Sequence, residues 1–172
     1  MYPLFHVFFP ITLLVVTRVD VKFKINRLTF GIALILPDLV DKLLMWTVGT
    51  TGRSWAHNLF FVALVGAPFL LARRFSLAES TWLGGLIHLV LDIPGVPWFF
   101  PFVSYDLFIP EYGGFWEYFI IGLTQPITLI TEIGGLVCLI WLIAKYRLLS
   151  RPGLTGFFGN ISATKIETGN QS

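Results

Sequence analysis

The feature that most constrains this chain is the length of its apolar runs. Five of them take up most of its 172 residues: Pro3 to Val16, Leu28 to Trp46, Ala56 to Ala72, Leu77 to Ile93 and Phe115 to Ala144. Runs this long and this free of charge suit a hydrocarbon solvent, where a helix satisfies its own backbone. Composition agrees. Hydrophobic residues make up 55% of the chain and charged residues 13%, with a mean hydropathy of +0.77. That is roughly half the charged share of a soluble domain, which excludes a disordered chain, a coiled coil and an ordinary soluble globule.

The expected fold is all-α: a polytopic membrane helical bundle of about five transmembrane segments in the cell membrane. Residues 1–149 read as one membrane-embedded domain. Residues 150–172, rich in Gly, Ser and Thr, read as a polar flexible cytoplasmic tail. The first run has no basic residue before it and no small-residue cleavage site, so it reads as a retained helix rather than a signal peptide. The second is interrupted by Pro37-Asp38 and Asp41-Lys42. The fifth is longer than a bilayer requires, predicting a tilt, a kink at Pro126 or an interfacial start. The single cysteine, Cys138, excludes an intrachain disulfide.

Orientation follows from Lys and Arg. Arg18, Lys22, Lys24, Arg27, Arg73, Arg74, Lys145, Arg147, Arg151 and Lys165 fall on one side, and only Lys42 and Arg53 on the other. Basic loops stay in the cytoplasm, so the chain is expected N-out and C-in. The acidic last outer loop (Asp106, Glu111) agrees, and Asn160-Ile161-Ser162, a glycosylation pattern, would then face the cytoplasm unused. Trp46, Trp55, Trp98 and Trp116 fall near the outer interface, Trp82 and Trp141 near the inner one. A net charge of +2 gives no ground for nucleic-acid binding.

Against this apolar background the polar residues stand out. All three histidines (His6, His57, His88) and the acids Asp38, Asp41 and Asp92 lie in or beside the first four runs. The topology brings all six to the outer half of the bilayer. His88 and Asp92 are spaced i and i+4, Asp38 and Asp41 i and i+3, and Arg53 and His57 i and i+4. Ionisable groups in lipid cost several kcal/mol each unless paired or metal-bound. Imidazole with carboxylate is a ligand set for zinc, manganese or iron, so His6, Asp38, Asp41, His57, His88 and Asp92 are the candidate ligands of one or two divalent ions, zinc or manganese first. All but His57 have a plainer reading. His6 suits an interface, Asp38 a helix cap after Pro37, Asp41 a pair with Lys42, and His88–Asp92 a structural hydrogen bond. Arg53 either snorkels to the interface or binds an anionic substrate. Glu132, inside the fifth run, either supports the site from behind or hydrogen-bonds a neighbouring helix.

The chain resembles the prokaryotic membrane-bound metal-dependent hydrolases, the family of the LexA-regulated inner-membrane hydrolase. The resemblance rests on Tyr2-Pro3-Leu4-Phe5-His6, Leu36-Pro37-Asp38-Leu39-Val40-Asp41-Lys42, Gly52-Arg53-Ser54-Trp55-Ala56-His57-Asn58 and His88-Leu89-Val90-Leu91-Asp92, followed by Pro97-Trp98-Phe99-Phe100-Pro101. It covers residues 1–101. Many members read Pro-Asp-x-Asp, where here the second acid comes one position later, at Asp41. Many have Thr before and Ser after the central His, where Ala56 and Asn58 stand here, and a His before the Arg, where Gly52 stands.

The resemblance implies a metal-dependent hydrolase, with Arg53, His57 and Asp92 as catalytic residues. Arg53 and Trp98 are expected to bind a membrane lipid or lipid-linked substrate, such as a phosphoester. The alternative is a non-enzymatic metal-binding or transport membrane protein. Five short helices without an inverted repeat argue against transport. A polar cluster that merely holds helices together is a third reading. A lipid phosphatase of the acid-phosphatase type needs Lys-x6-Arg-Pro and Pro-Ser-Gly-His motifs, and neither is present.

Overall fold

Every element among the described residues is an α-helix. The computed structural model describes residues 3–50, 52–105 and 115–159, with the backbone alone at 115, 116, 118 and 119. The helices are α1 (Pro3–Val16), α2 (Val19–Lys22), α3 (Arg27–Val48), α4 (Leu59–Leu71), α5 (Phe75–Leu91), α6 (Phe115–Leu123), α7 (Pro126–Tyr146) and α8 (Arg151–Phe158). Asp106, Glu111, Lys165 and the Asn160-Ile161-Ser162 pattern fall outside the described residues.

The caps explain the boundaries. Asn26 starts α3 by accepting from the Thr29 amide, and Asn58 starts α4 by accepting from that of Phe61. The interruption expected at Pro37-Asp38 does not occur: α3 runs unbroken for 22 residues with Pro37 inside it. The proline removes one donor from the helical ladder, and close by the Leu34 carbonyl accepts from His88 Nδ1 at 2.7 Å. The fifth run divides into α6 and α7, with Pro126 at the start of α7, where its missing N–H costs nothing.

Helix α5 is central, packing along both α3 and α4, while α1 lies along α7 and against α3. Gly84 lets α3 and α5 close up. A Cβ there would sit 2.7 Å from the Phe30 carbonyl oxygen and 2.9 Å from Ala33 Cβ. A small residue at a crossing lets two helix backbones approach closely.

Burial does not sort residues by polarity: beside an apolar core of Phe30, Leu34, Leu89 and Leu142 the interior holds ionisable groups, and the surface is rich in large apolar side chains. Ile35, Leu39, Leu43, Leu64, Val90 and Val137 are exposed on the outside, while His6, Asp41, His57, His88, Asp92 and Glu132 are buried inside. One helix, Pro126–Tyr146, is long and apolar enough to cross a membrane, and Pro3–Val16, Leu59–Leu71 and Phe75–Leu91 are shorter apolar helices.

The tail expected to be flexible from residue 150 is in part a helix. Ser150 accepts from the Gly153 amide and starts α8, whose Phe157 is buried. Arg27 explains the docking. Its guanidinium pairs with buried Asp20 at 2.6 Å, donates to the Phe157 carbonyl at 3.1 Å and stacks over the Phe157 ring. The apolar pattern of eight residues was too short to announce this partner. Arg27→Met would leave the Asp20 carboxylate buried without its counter-charge. A thermal melt in detergent should show a loss of about 3–5 kcal/mol, the usual result of breaking a buried pair from one side.

Candidate metal centre

Three helix-borne residues and one loop histidine converge at the heart of the molecule. Asp38 comes from the middle of α3, His88 from the last turn of α5, and Asp92 is the residue that ends α5. The fourth is His57. It was expected on a helical face with Arg53 at i and i+4, but residues 52–58 form an irregular segment before α4. Asp41 holds that segment. Its Oδ2 accepts from the Ser54 amide at 2.8 Å and from His57 Nδ1 at 2.7 Å, and its Oδ1 accepts from the Ala56 amide at 2.9 Å. Those amides lie outside any helix and are buried, so they need an acceptor, and α3 supplies it.

Ligand atoms of Asp38, His57, His88 and Asp92 all lie within 4.8 Å of one another. His57 Nε2 is 3.2 Å from His88 Nε2, 3.1 Å from Asp92 Oδ2 and 3.5 Å from Asp38 Oδ1, and His88 Nε2 is 3.5 Å from Asp92 Oδ2. Ligands on a tetrahedral zinc at its usual bond lengths stand about 3.4 Å apart; these four separations are close to that spacing, and the remaining two, from Asp38 to His88 and to Asp92, lie within 4.8 Å.

The proton positions sharpen the fit. A carbonyl only accepts, so His88 Nδ1, which faces the Leu34 oxygen, carries the proton. A carboxylate likewise fixes the proton on His57 Nδ1. In the neutral rings both Nε2 atoms then present lone pairs, and these face each other. Asp38 Oδ1 and Asp92 Oδ2 are buried at the same point with no hydrogen-bond partner. One proton on one ring would satisfy one of these contacts, whereas a four-coordinate cation satisfies all four atoms. The donors therefore fit a divalent ion, each imidazole being oriented from behind by an acceptor, as metal-bound histidines usually are.

Two expected ligands stand outside this group. Asp41 has both oxygens engaged by the 54–57 segment, and it orients His57 rather than sharing its position. His6 meets the far oxygen of Asp92: its Nε2 is 3.1 Å from Asp92 Oδ1. Arg53 Nη2 lies 3.6 Å from that same oxygen, with its side chain 30% exposed. Asp92 therefore has one oxygen toward the four-atom group and one toward His6 and Arg53. Asp38, 18% exposed, is the rim of the group, while His57, His88 and Asp92 are fully enclosed.

Trp98, expected to bind substrate, has a structural part to play. It packs against Val62, Leu89 and Val96, and its carbonyl accepts from the Leu59 amide at 3.1 Å. The exposed aromatics of this region include Trp55, Phe60, Phe99 and Phe102. Glu132 hydrogen-bonds a neighbouring helix, the second of the two expectations for it, accepting from the Leu4 and Phe5 amides of α1; these contacts are compatible with the first as well. Sequence reasoning missed the Leu34 carbonyl, since no side chain signals it, although its position one turn before Asp38 on the same helix was available.

Comparison with family models, with curated proteins and with solved structures finds no match to this chain.

Proposed function

We propose that this protein is a multi-pass membrane protein, N-out and C-in, with a divalent metal site in the outer half of the bilayer, and that it is a metal-dependent hydrolase. The observation that carries the reading is the convergence of four lone pairs, two of them on otherwise partnerless buried carboxylate oxygens, at Asp38, His57, His88 and Asp92. Five spans (α1, α3, α4, α5 and α6–α7) are supported by the apolar exterior, which is far larger than a soluble monomer leaves in water. α1, α4 and α5 have 14, 13 and 17 residues, short for a hydrocarbon core of about 30 Å. Local thinning of the bilayer and flanking apolar residues make up the difference. The resemblance to prokaryotic membrane-bound metal-dependent hydrolases supports the same reading.

The chain's own groups divide the work as follows. Asp41 and the Leu34 carbonyl hold the two imidazoles with Nε2 inward. Asp38 and Asp92 add the negative charge that selects a divalent cation such as zinc or manganese. With a further coordination position open on the side of Asp38, the partly exposed edge of the group, a bound ion would lower the pKa of a water there and polarise a phosphoryl or acyl oxygen. Arg53, at the edge of the site beside Asp92, offers a planar donor pair to an anionic head group. Exposed Trp55, Phe99 and Phe102 offer an apolar approach for a lipid or lipid-linked chain.

The test is turnover of phosphoester and lipid-phosphate substrates by protein loaded with zinc or manganese in bilayers. Turnover should vanish on chelation and return with the ion. Arg53→Met should raise KM by roughly 10–100-fold, the range for losing a hydrogen bond to a charged group, with a smaller change in kcat. Ion-loaded protein that hydrolyses nothing in the panel but carries radiolabelled manganese into proteoliposomes would establish the transport alternative instead.

A further inference from the structure

α7 places no residue in the four-atom group, yet it carries a receptor for the start of α1. Glu132 is buried in α7, and each of its oxygens takes one amide of the first turn of α1: Oε2 from Leu4 at 3.2 Å and Oε1 from Phe5 at 3.1 Å. Those amides have no partner within their own helix, and in a medium without water they need one. Gly135, three residues on and on the same face of α7, is the notch into which the chain fits. A Cβ there would fall 2.4 Å from the Leu4 carbonyl carbon and the Phe5 nitrogen. A carboxylate and a cleft thus fix where α1 begins. The residue that follows Phe5 is His6, whose Nε2 reaches Asp92 Oδ1 at 3.1 Å.

We propose that Glu132 is a positioning residue for the metal centre, acting through α1 and His6 on Asp92. With His6 on Oδ1, Asp92 keeps Oδ2 turned toward His57 and His88. If the start of α1 shifts, Oδ1 loses its one buried donor and keeps only the longer contact to Arg53 at 3.6 Å, so the carboxylate is held less firmly in this orientation. The inference rests on the metal site proposed above. It assigns the long apolar helix a part in the chemistry that none of its own side chains performs directly.

The test is a double-mutant cycle read as zinc affinity, by chelator competition in detergent, for the wild type, Glu132→Gln, His6→Gln and the double variant. Each single change should weaken zinc binding by roughly tenfold, the lower range for groups that orient a metal ligand. The double variant should be no weaker than the weaker single one, because both act through one contact. The visible spectrum of the cobalt(II)-substituted protein should shift in the same way in all three variants. A merely structural Glu132 would lower the melting temperature and leave that spectrum in place. Additive losses, or a Glu132→Gln protein with wild-type affinity, overturn the inference while the metal site stands. A wild-type protein that takes up no zinc overturns both. If Glu132→Gln does not fold, Gly135→Ala takes its place in the cycle, since it displaces the start of α1 and keeps the carboxylate.

Discussion

Purified in detergent and equilibrated with zinc, the wild-type chain should carry one ion, and His88→Ala/Asp92→Ala should carry none. One ion, rather than the two that six candidate ligands would allow, follows from the way the carboxylates are engaged. Asp41 has given both oxygens to the Ser54 and Ala56 amides and the His57 ring. Asp92 Oδ1 faces His6 and Arg53. What remains is a single set of four inward atoms. Structural zinc sites with four ligands bind with about 10–16 kcal/mol, so removing two ligands should weaken binding by roughly a thousandfold or more. The measurement is elemental mass spectrometry on both proteins, with a manganese arm alongside. Two ions per wild-type chain would return His6 and Asp41 to the ligand set. No ion in the wild type would leave a polar cluster that holds helices together, and the hydrolase reading would fall with the metal.

Asp41→Asn should also weaken the site, by less, without touching the four atoms. Its carboxylate, fully buried, accepts three hydrogen bonds. An amide in its place presents N–H to at least one donor, so a backbone amide or the His57 ring loses its acceptor. Leaving buried donors unsatisfied in this way should lower stability by about 2–4 kcal/mol. Zinc affinity should fall by roughly 10–100-fold, because the proton on His57 Nδ1 is no longer held by a negative charge. A chemical or thermal melt gives the first number and chelator competition the second. A variant with normal zinc affinity would show that His57 does not depend on Asp41 for its orientation.

These two results bear on how legible the site was. His88 and Asp92 could be paired from spacing, because i and i+4 share a helical face and α5 continues to Leu91. Asp38 and Asp41 also share a face of α3, but only one of them reaches the four-atom group. The spacing says that two side chains point the same way. It does not say which of them meets another helix and which meets the irregular segment lying across it. Arg53 and His57 show the limit more sharply. Their spacing reads as a helical face, yet Asn58 caps α4 one residue after His57, and a buried carboxylate elsewhere in the chain satisfies the backbone that a helix would have satisfied internally.

Length, apolar runs and the scarcity of charge were enough to settle that the described residues are all helical in their regular structure, where four of the five apolar runs form a single helix each, and that ionisable residues within those runs would be gathered rather than dispersed. These are local or compositional properties. A helix satisfies its own backbone, and a charge in apolar surroundings needs a partner. The tertiary structure alone decided the roles. It set Asp41 and His6 behind the four inward-facing atoms, gave Trp98 to packing and docked α8 on Arg27. It also tied Glu132 to the first amides of α1, more than 120 residues away. Those assignments depend on which oxygen of a carboxylate faces which neighbour. That is fixed by helix crossings a few ångströms apart, as at Gly84 and Gly135, and the order of residues along the chain does not record it.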